Sequence, residues 1–180
     1  MPSSSRLKRS SATDLILKNR ASANYSLSKG SSADAHPVSQ FGYISLLRQL
    51  NYDVEWYKQL PSGYFHDDGL EAYSKNSSLP QIFEVSDKLE MLRVDKTGAE
   101  FGIKYIIKGT GDEYQTLSEI KNAGIPLIVP VNFPDPPNVK DPYDAISVSY
   151  SGLKHYELAP SNLAMVSGEG LTFAITSDDL

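Results

Sequence analysis

Four polar residues fall at the ends of apolar runs in this chain of 180 residues. Glu84 sits inside Ile82-Phe-Glu-Val85, and Lys108 closes Ile103-Lys-Tyr-Ile-Ile-Lys108. Asn132 follows Ile125-Pro-Leu-Ile-Val-Pro-Val131, and Asp178 follows Ala174-Ile-Thr-Ser177. If the runs are parallel strands, these residues share a rim, because ligands of parallel α/β folds bind at the carboxyl ends of the strands. A carboxylate there can hold a divalent cation or act as a general base. A lysine beside it can hold an anion or, once carbamylated, bridge metals. Each residue also has a plainer role. Glu84 and Lys108, on strands about 4.8 Å apart, can simply pair as a buried ion pair. Asp178 can cap a following helix.

Other chemistries leave fainter marks. His36 and His66 lie in polar, turn-like contexts, and His155 lies in the helical piece Leu153-Lys-His-Tyr-Glu157, where a hydrogen-bonded structural role also suits it. No H-x-H, H-E-x-x-H or G-x-S-x-G is present. Gly109-Thr-Gly111 before a helix suggests either a phosphate loop or a tight turn; Tyr114 stands where G-x-G-x-x-G needs its third glycine. Asp135-Pro-Pro and Asp141-Pro-Tyr-Asp144 make an acidic, proline-stiffened loop at the same rim, either a lid or an exposed connection.

The elements that must carry these residues alternate. Strands are predicted near 80–85, 103–108, 125–131 and 171–177. A helix opened by Ser86 or Asp87 and ended at Gly102 follows the first. A second follows Thr110-Gly-Asp-Glu113, whose spacing is that of a capping box, and stops at Gly124. This β-α-β-α-β order implies a parallel sheet with right-handed crossovers. Upstream, Phe41, Ile44, Leu47, Leu50 or Asn51, and Val54 recur at helical spacing, so 38–58 reads as an amphipathic helix. Leu15-Ile-Leu17 could form a short strand, 64–75 a short helix, and Tyr150 to Met165 short helical pieces. The fold class is α/β: an open sheet or, better, a partial (β/α)8 TIM-type barrel with an N-terminal helical region.

Composition limits the partners. Seventeen Lys+Arg against 22 Asp+Glu give a net charge of −5, which disfavours a general nucleic-acid binder. No apolar run approaches the roughly 20 residues of a membrane span, so no membrane partner is expected. Without cysteine there are no disulfides, thiolate zinc sites or thiol nucleophiles. The start carries basic residues but no apolar stretch after them, so it does not read as a signal peptide. Residues 1–13, rich in Ser, Arg and Lys, read as a disordered tail, and 14–180 as one domain.

Several segments together resemble the latter barrel half of imidazolonepropionase-like amidohydrolases. They are Leu79-Pro-Gln-Ile-Phe-Glu-Val85, Glu100-Phe-Gly-Ile-Lys-Tyr-Ile-Ile-Lys-Gly-Thr-Gly-Asp-Glu-Tyr114 and Ala123-Gly-Ile-Pro-Leu-Ile-Val-Pro-Val-Asn-Phe-Pro134. Asp141-Pro-Tyr-Asp-Ala145, Leu153-Lys-His-Tyr-Glu-Leu-Ala-Pro160 and Phe173-Ala-Ile-Thr-Ser-Asp178 continue the likeness, with Ser28-Lys-Gly-Ser-Ser32, Leu46-Leu-Arg-Gln49 and Trp56-Tyr57 upstream. The resemblance spans about residues 14 to 180 and is greatest to bacterial, usually exported, amidohydrolase-related proteins. It implies hydrolysis of C–N bonds of cyclic amides and related small molecules by a metal-activated water, with zinc the metal of the full-length enzyme and an exported or periplasmic location. It places the catalytic aspartate at Asp178, as metal ligand and general base. Glu84 becomes a second ligand or the electrostatic partner of Lys108; Lys108, Asn132 and His155 are candidate substrate-binding residues.

The departures are specific. The H-x-H strand is absent, Glu84 takes the place of the fifth-strand histidine, and Lys108-Gly-Thr-Gly-Asp112 holds no counterpart of the sixth-strand histidine. The chain therefore reads as a fragment or truncated product, inactive alone, and this chain can lack the metal altogether. Two other readings remain: a non-catalytic α/β binding scaffold, and a homo-oligomer formed through unpaired sheet edges.

Overall fold

The computed structural model describes residues 18–61 and 63–177. Five parallel strands form one sheet: β1 (Ala23–Ser26), β2 (Gln81–Glu84), β3 (Ile106–Lys108), β4 (Leu127–Pro130) and β5 (Phe173–Thr176). Their order in space is their order in sequence. Every right-handed crossover then runs the same way and places its helices on the same face. A doubly wound fold, by contrast, must reverse its strand order to cover both faces. The architecture is that of a sector of a (β/α)8 barrel, as expected.

The helices are α1 (Gln40–Lys58) and α2 (Asp68–Asn76) between β1 and β2, α3 (Lys88–Glu100), α4 (Leu117–Ala123), and α5 (Asp144–Ser147), α6 (Tyr150–Leu158) and α7 (Asn162–Gly168) before β5. Ser39, at the start of α1, accepts from the Gly42 N–H, and the helix buries Ile44, Leu47, Asn51 and Val54, four of the predicted positions. Phe41, the fifth, is exposed. Asp87 caps α3 by accepting from the N–H groups of Leu89 and Glu90. Gly124 ends α4 at φ 62°, in the left-handed region where a side chain would be strained.

Alternation along the strands separates two environments. Phe83, Val85, Tyr105, Ile107, Ile125, Leu127 and Val129 point to the helices and join Leu47, Met91, Val94, Ile120 and Val166 in one core. The opposite face carries Asn24, Ser26, Ile82, Glu84, Ile106, Lys108, Ile128 and Ala174. None of these is fully buried, and no described helix packs over them. The core is aromatic at its centre: Tyr105 meets Phe83 edge-on with ring centroids 5.1 Å apart, and Tyr25 lies about 6 Å from both. Burial pushes the Tyr25 phenol up to about 12, and it pushes the fully buried Tyr105 phenol higher still.

Some expectations need correction. Strand β1 at 23–26 was not anticipated. Leu15-Ile-Leu17, read as a strand, lies outside the described residues, as does the predicted tail 1–13. Thr110 does not cap a helix: its hydroxyl bonds Asp112, a 3-10 turn occupies Glu113–Gln115, and α4 begins at Leu117. The capping-box pattern failed because Glu113 turns inward and bonds the Gly111 N–H of the turn, with no helix starting at Thr110 for it to cap. Its carboxylate is fully buried and accepts from Gly111 N–H at 3.2 Å and from Asn162 Nδ2 at 2.5 Å.

Candidate functional site

The carboxyl ends of the strands bring several of the singled-out residues to one rim. Register pairs Ser26 with Glu84, Glu84 with Lys108, Lys108 with Ile128 and Ile128 with Ala174, so these residues form one row across the uncovered face. Within it Lys108 Nζ donates to Glu84 Oε1 at 3.0 Å. The lysine side chain is 17% exposed and the glutamate 57%. The pairing expected from neighbouring strands is present, but half open to solvent, where such a bond is worth at most about 1 kcal/mol. Lys108 also has an interaction beyond this one. Asp178 lies outside the described residues. The last residue of β5, Thr176, is in register with Pro130.

Glu84 lines a shallow depression with Ser26, Leu27, Ser28, Ser86 and Glu90. A different cavity of about 190 Å³ lies over the ends of β3 and β4. Its polar lining is Thr110, Gly111, Asn132, His155 and Asn162, and Phe133, Pro134 and Leu163 supply apolar wall. Two of the three candidate substrate-binding residues, Asn132 and His155, therefore meet, while Lys108 stands on the ion-pair side. Asn132 follows β4 directly, and its Oδ1 is buried without a hydrogen-bond partner. His155, on α6, receives Tyr114: the phenol oxygen lies 3.2 Å from Nδ1, and the rings stack with 12° between their planes.

The loop beneath this cavity is Gly109-Thr-Gly111. Gly111 has φ +89°, which only glycine takes without strain. A Cβ on Gly109 would stand 1.7 Å from Glu113 Oε1. The loop is thus a tight turn wrapped on an internal carboxylate, and an anionic phosphate would meet that charge. Asn162 secures it twice, accepting from Tyr114 N–H at 2.9 Å and donating to Glu113. No local motif announces Asn162, Tyr114 or Gln115. Asn162 is 48 residues from Tyr114, and only the fold brings them together.

A catalytic zinc takes three protein ligands and a water. The described rim residues do not fit it. Glu84 is bonded to an ammonium group, and His155 is committed to Tyr114 and shares no depression with Glu84. The three potential ligands that do cluster among the described residues are His66, Asp68 and Glu71, at the start of α2. His66 Nε2 lies 2.9 Å from Asp68, and Glu71 also pairs with Lys75, so ordinary charge pairing at a helix start accounts for the group. None of the three lines either rim depression.

No protein-family model matches the chain, and no curated protein does. Among solved structures, the chain is similar to the crystal structure of an amidohydrolase from Thermotoga maritima MSB8, with a TM-score of 0.64 and 14% sequence identity. The similarity covers 93% of this chain and 44% of the other. The chain thus has an amidohydrolase-like fold and spans less than half the length of the structure it matches.

Proposed function

We propose that the chain is the latter part of an amidohydrolase barrel of the imidazolonepropionase-like kind, which in whole form hydrolyses C–N bonds other than peptide bonds in small molecules. The observation that carries this reading is the one-sided sheet. Parallel sheets are normally covered on both faces, and a barrel of this class closes with eight strands. Five are described here, and among the described residues nothing gives the face bearing Ile82, Ile106 and Ile128 the apolar cover that further strands would supply. On this reading Asp178 is one metal ligand, and the others come from further strands of the whole barrel. Asp178 supplies the base, and Lys108, Asn132 and His155 hold the substrate. A divalent metal, zinc by resemblance, belongs to the whole barrel, and the chain alone is inactive.

The coding sequence preceding the chain provides the first test. An in-frame strand bearing H-x-H supports the reading, and the longer product then holds a divalent ion and loses hydrolysis in Asp178→Asn. No such strand, with no ion bound, overturns it. The Glu84–Lys108 pair favours a second reading, a non-catalytic α/β scaffold, since a lysine already neutralises the rim carboxylate. That reading predicts unchanged stability and ligand binding in Asp178→Asn.

A further inference from the structure

A chain of side chains behind the rim cavity runs in one direction only. Lys88, at the start of α3, donates through Nζ to Gln115 Oε1. An ammonium group has no acceptor capacity, so the direction of this bond is fixed. The Gln115 carboxamide is thereby oriented, and its Nε2 donates to the Tyr114 phenol oxygen at 3.2 Å. Among the described residues, the remaining partner of that hydroxyl is His155 Nδ1, at 3.2 Å. Gln115 already fills one acceptor site of that oxygen, and among the described residues Nδ1 is the acceptor within reach of the hydroxyl hydrogen. A neutral imidazole that accepts at Nδ1 carries its proton at Nε2. His155 lines the cavity, and Nε2 is the one polar atom of its ring left without a protein partner among the described residues.

We propose that Lys88, Gln115 and Tyr114 are positioning residues that hold His155 as the Nε2–H tautomer, so that the cavity takes a small neutral carbonyl compound by its oxygen. The rest of the lining selects in the same sense. Glu113, a fully buried carboxylate, lies directly behind Gly111 and opposes an anion. Asn132 keeps an unpartnered oxygen for which a ligand N–H is the complement. A volume of about 190 Å³ admits roughly six water-sized units, hence a ligand of about that many heavy atoms. This inference concerns a hydrogen-bond donor at the rim, and it stands whether or not a completed barrel hydrolyses anything.

The test is long-range ¹H–¹⁵N correlation spectroscopy on the labelled full chain at about pH 8.5, above the ordinary imidazole range near 6.5. The expected His155 signals are a protonated Nε2 and an unprotonated Nδ1. Tyr114→Phe removes the donor to Nδ1 and shifts the tautomer ratio toward Nδ1–H. Lys88→Met, made at a side chain that is not part of the core, gives a smaller shift of the same sign with circular dichroism unchanged. Propanamide at millimolar concentration moves the Nε2 signal and the Asn132 side-chain signals, whereas the isosteric anion propanoate does not. A protonated Nδ1 in the unmodified chain overturns the proposal. So does a tautomer ratio unmoved in both variants, or a response to propanoate equal to that to propanamide.

Discussion

Ile106 and Ile107 are adjacent in β3 and chemically identical, yet one faces helices and the other faces nothing that is described. Ile107 is fully buried among Phe83, Leu127 and Ile120, while Ile106 is only half-buried beside Ile82. The same contrast runs across the sheet. One face is a close-packed core, and the other carries an open ion pair flanked by Ser26 and Ile128. The difference teaches where each kind of residue can act. A side chain in the packed face is held by volume, so its loss costs stability. One on the open face is held by little, so its loss should be felt in whatever binds there.

The largest effect should separate the two isoleucines. Ile107→Ala should lower the unfolding free energy by about 2–5 kcal/mol in urea melts, and Ile106→Ala by less than about 1. Equal losses would mean that a second copy of the chain covers the open face, and the concentration dependence of the melts would reveal it. Next comes Gly98 on α3. A Cβ there would lie 2.7 Å from both the Ile103 carbonyl oxygen and the Tyr105 ring. Gly98→Ala should cost about 1–3 kcal/mol despite alanine's better helix propensity, because the core must shift; a stabilised variant would sink the packing argument. Tyr105→Phe should change stability by no more than about 1 kcal/mol, since the buried hydroxyl lies beside the Tyr73 phenol without a well-formed hydrogen bond. Glu84→Gln on the open face should change stability by less than about 1 kcal/mol, and salt should erase the change.

The smallest expected effect concerns pH. Arg48 Nε and Nη2 bond both oxygens of Glu100, at 2.6 and 2.7 Å, tying α1 to α3. Those hydrogen bonds hold the Glu100 carboxyl below its ordinary value of 4.5. A lowered folded-state pKa contributes stability above the unfolded value and loses it as pH falls through the folded one. The difference between the native chain and Arg48→Met should therefore be present at neutral pH and vanish on acidification below 4.5 in thermal melts. A difference that persists there would assign the effect to packing of the arginine stem.

Much of the scaffold was legible because it rests on local rules. Asp87 before Leu89 and Glu90, Gly124 after Ile120, and the helical spacing of Ile44, Leu47 and Val54 each declare an element within a few residues. Glu84 and Lys108 could be paired in advance because adjacent parallel strands put equivalent ends side by side. β1 escaped notice because the alternation in Ala23-Asn-Tyr-Ser26 is only four residues long and holds no β-branched residue; it is a strand because Gln81 to Glu84 lies beside it. Thr110-Gly-Asp-Glu113 misled because a capping box and an inward-turned glutamate share one spacing, and Asn162, far along the chain, decided between them.

The order of apolar runs, turn glycines and helix starts was enough to specify like-directed strands joined by helices, since backbone hydrogen bonding and side-chain period are satisfied over short distances. Which polar groups share a cavity was settled only in three dimensions. Asn132 and His155 meet over β3 and β4 because α6 carries His155 to the cavity, and a lysine 67 positions earlier in the chain begins the row of hydrogen bonds that ends at its ring. Hydrogen-bond direction depends on which donors and acceptors finally face one another, and no pattern of neighbours along a chain encodes that.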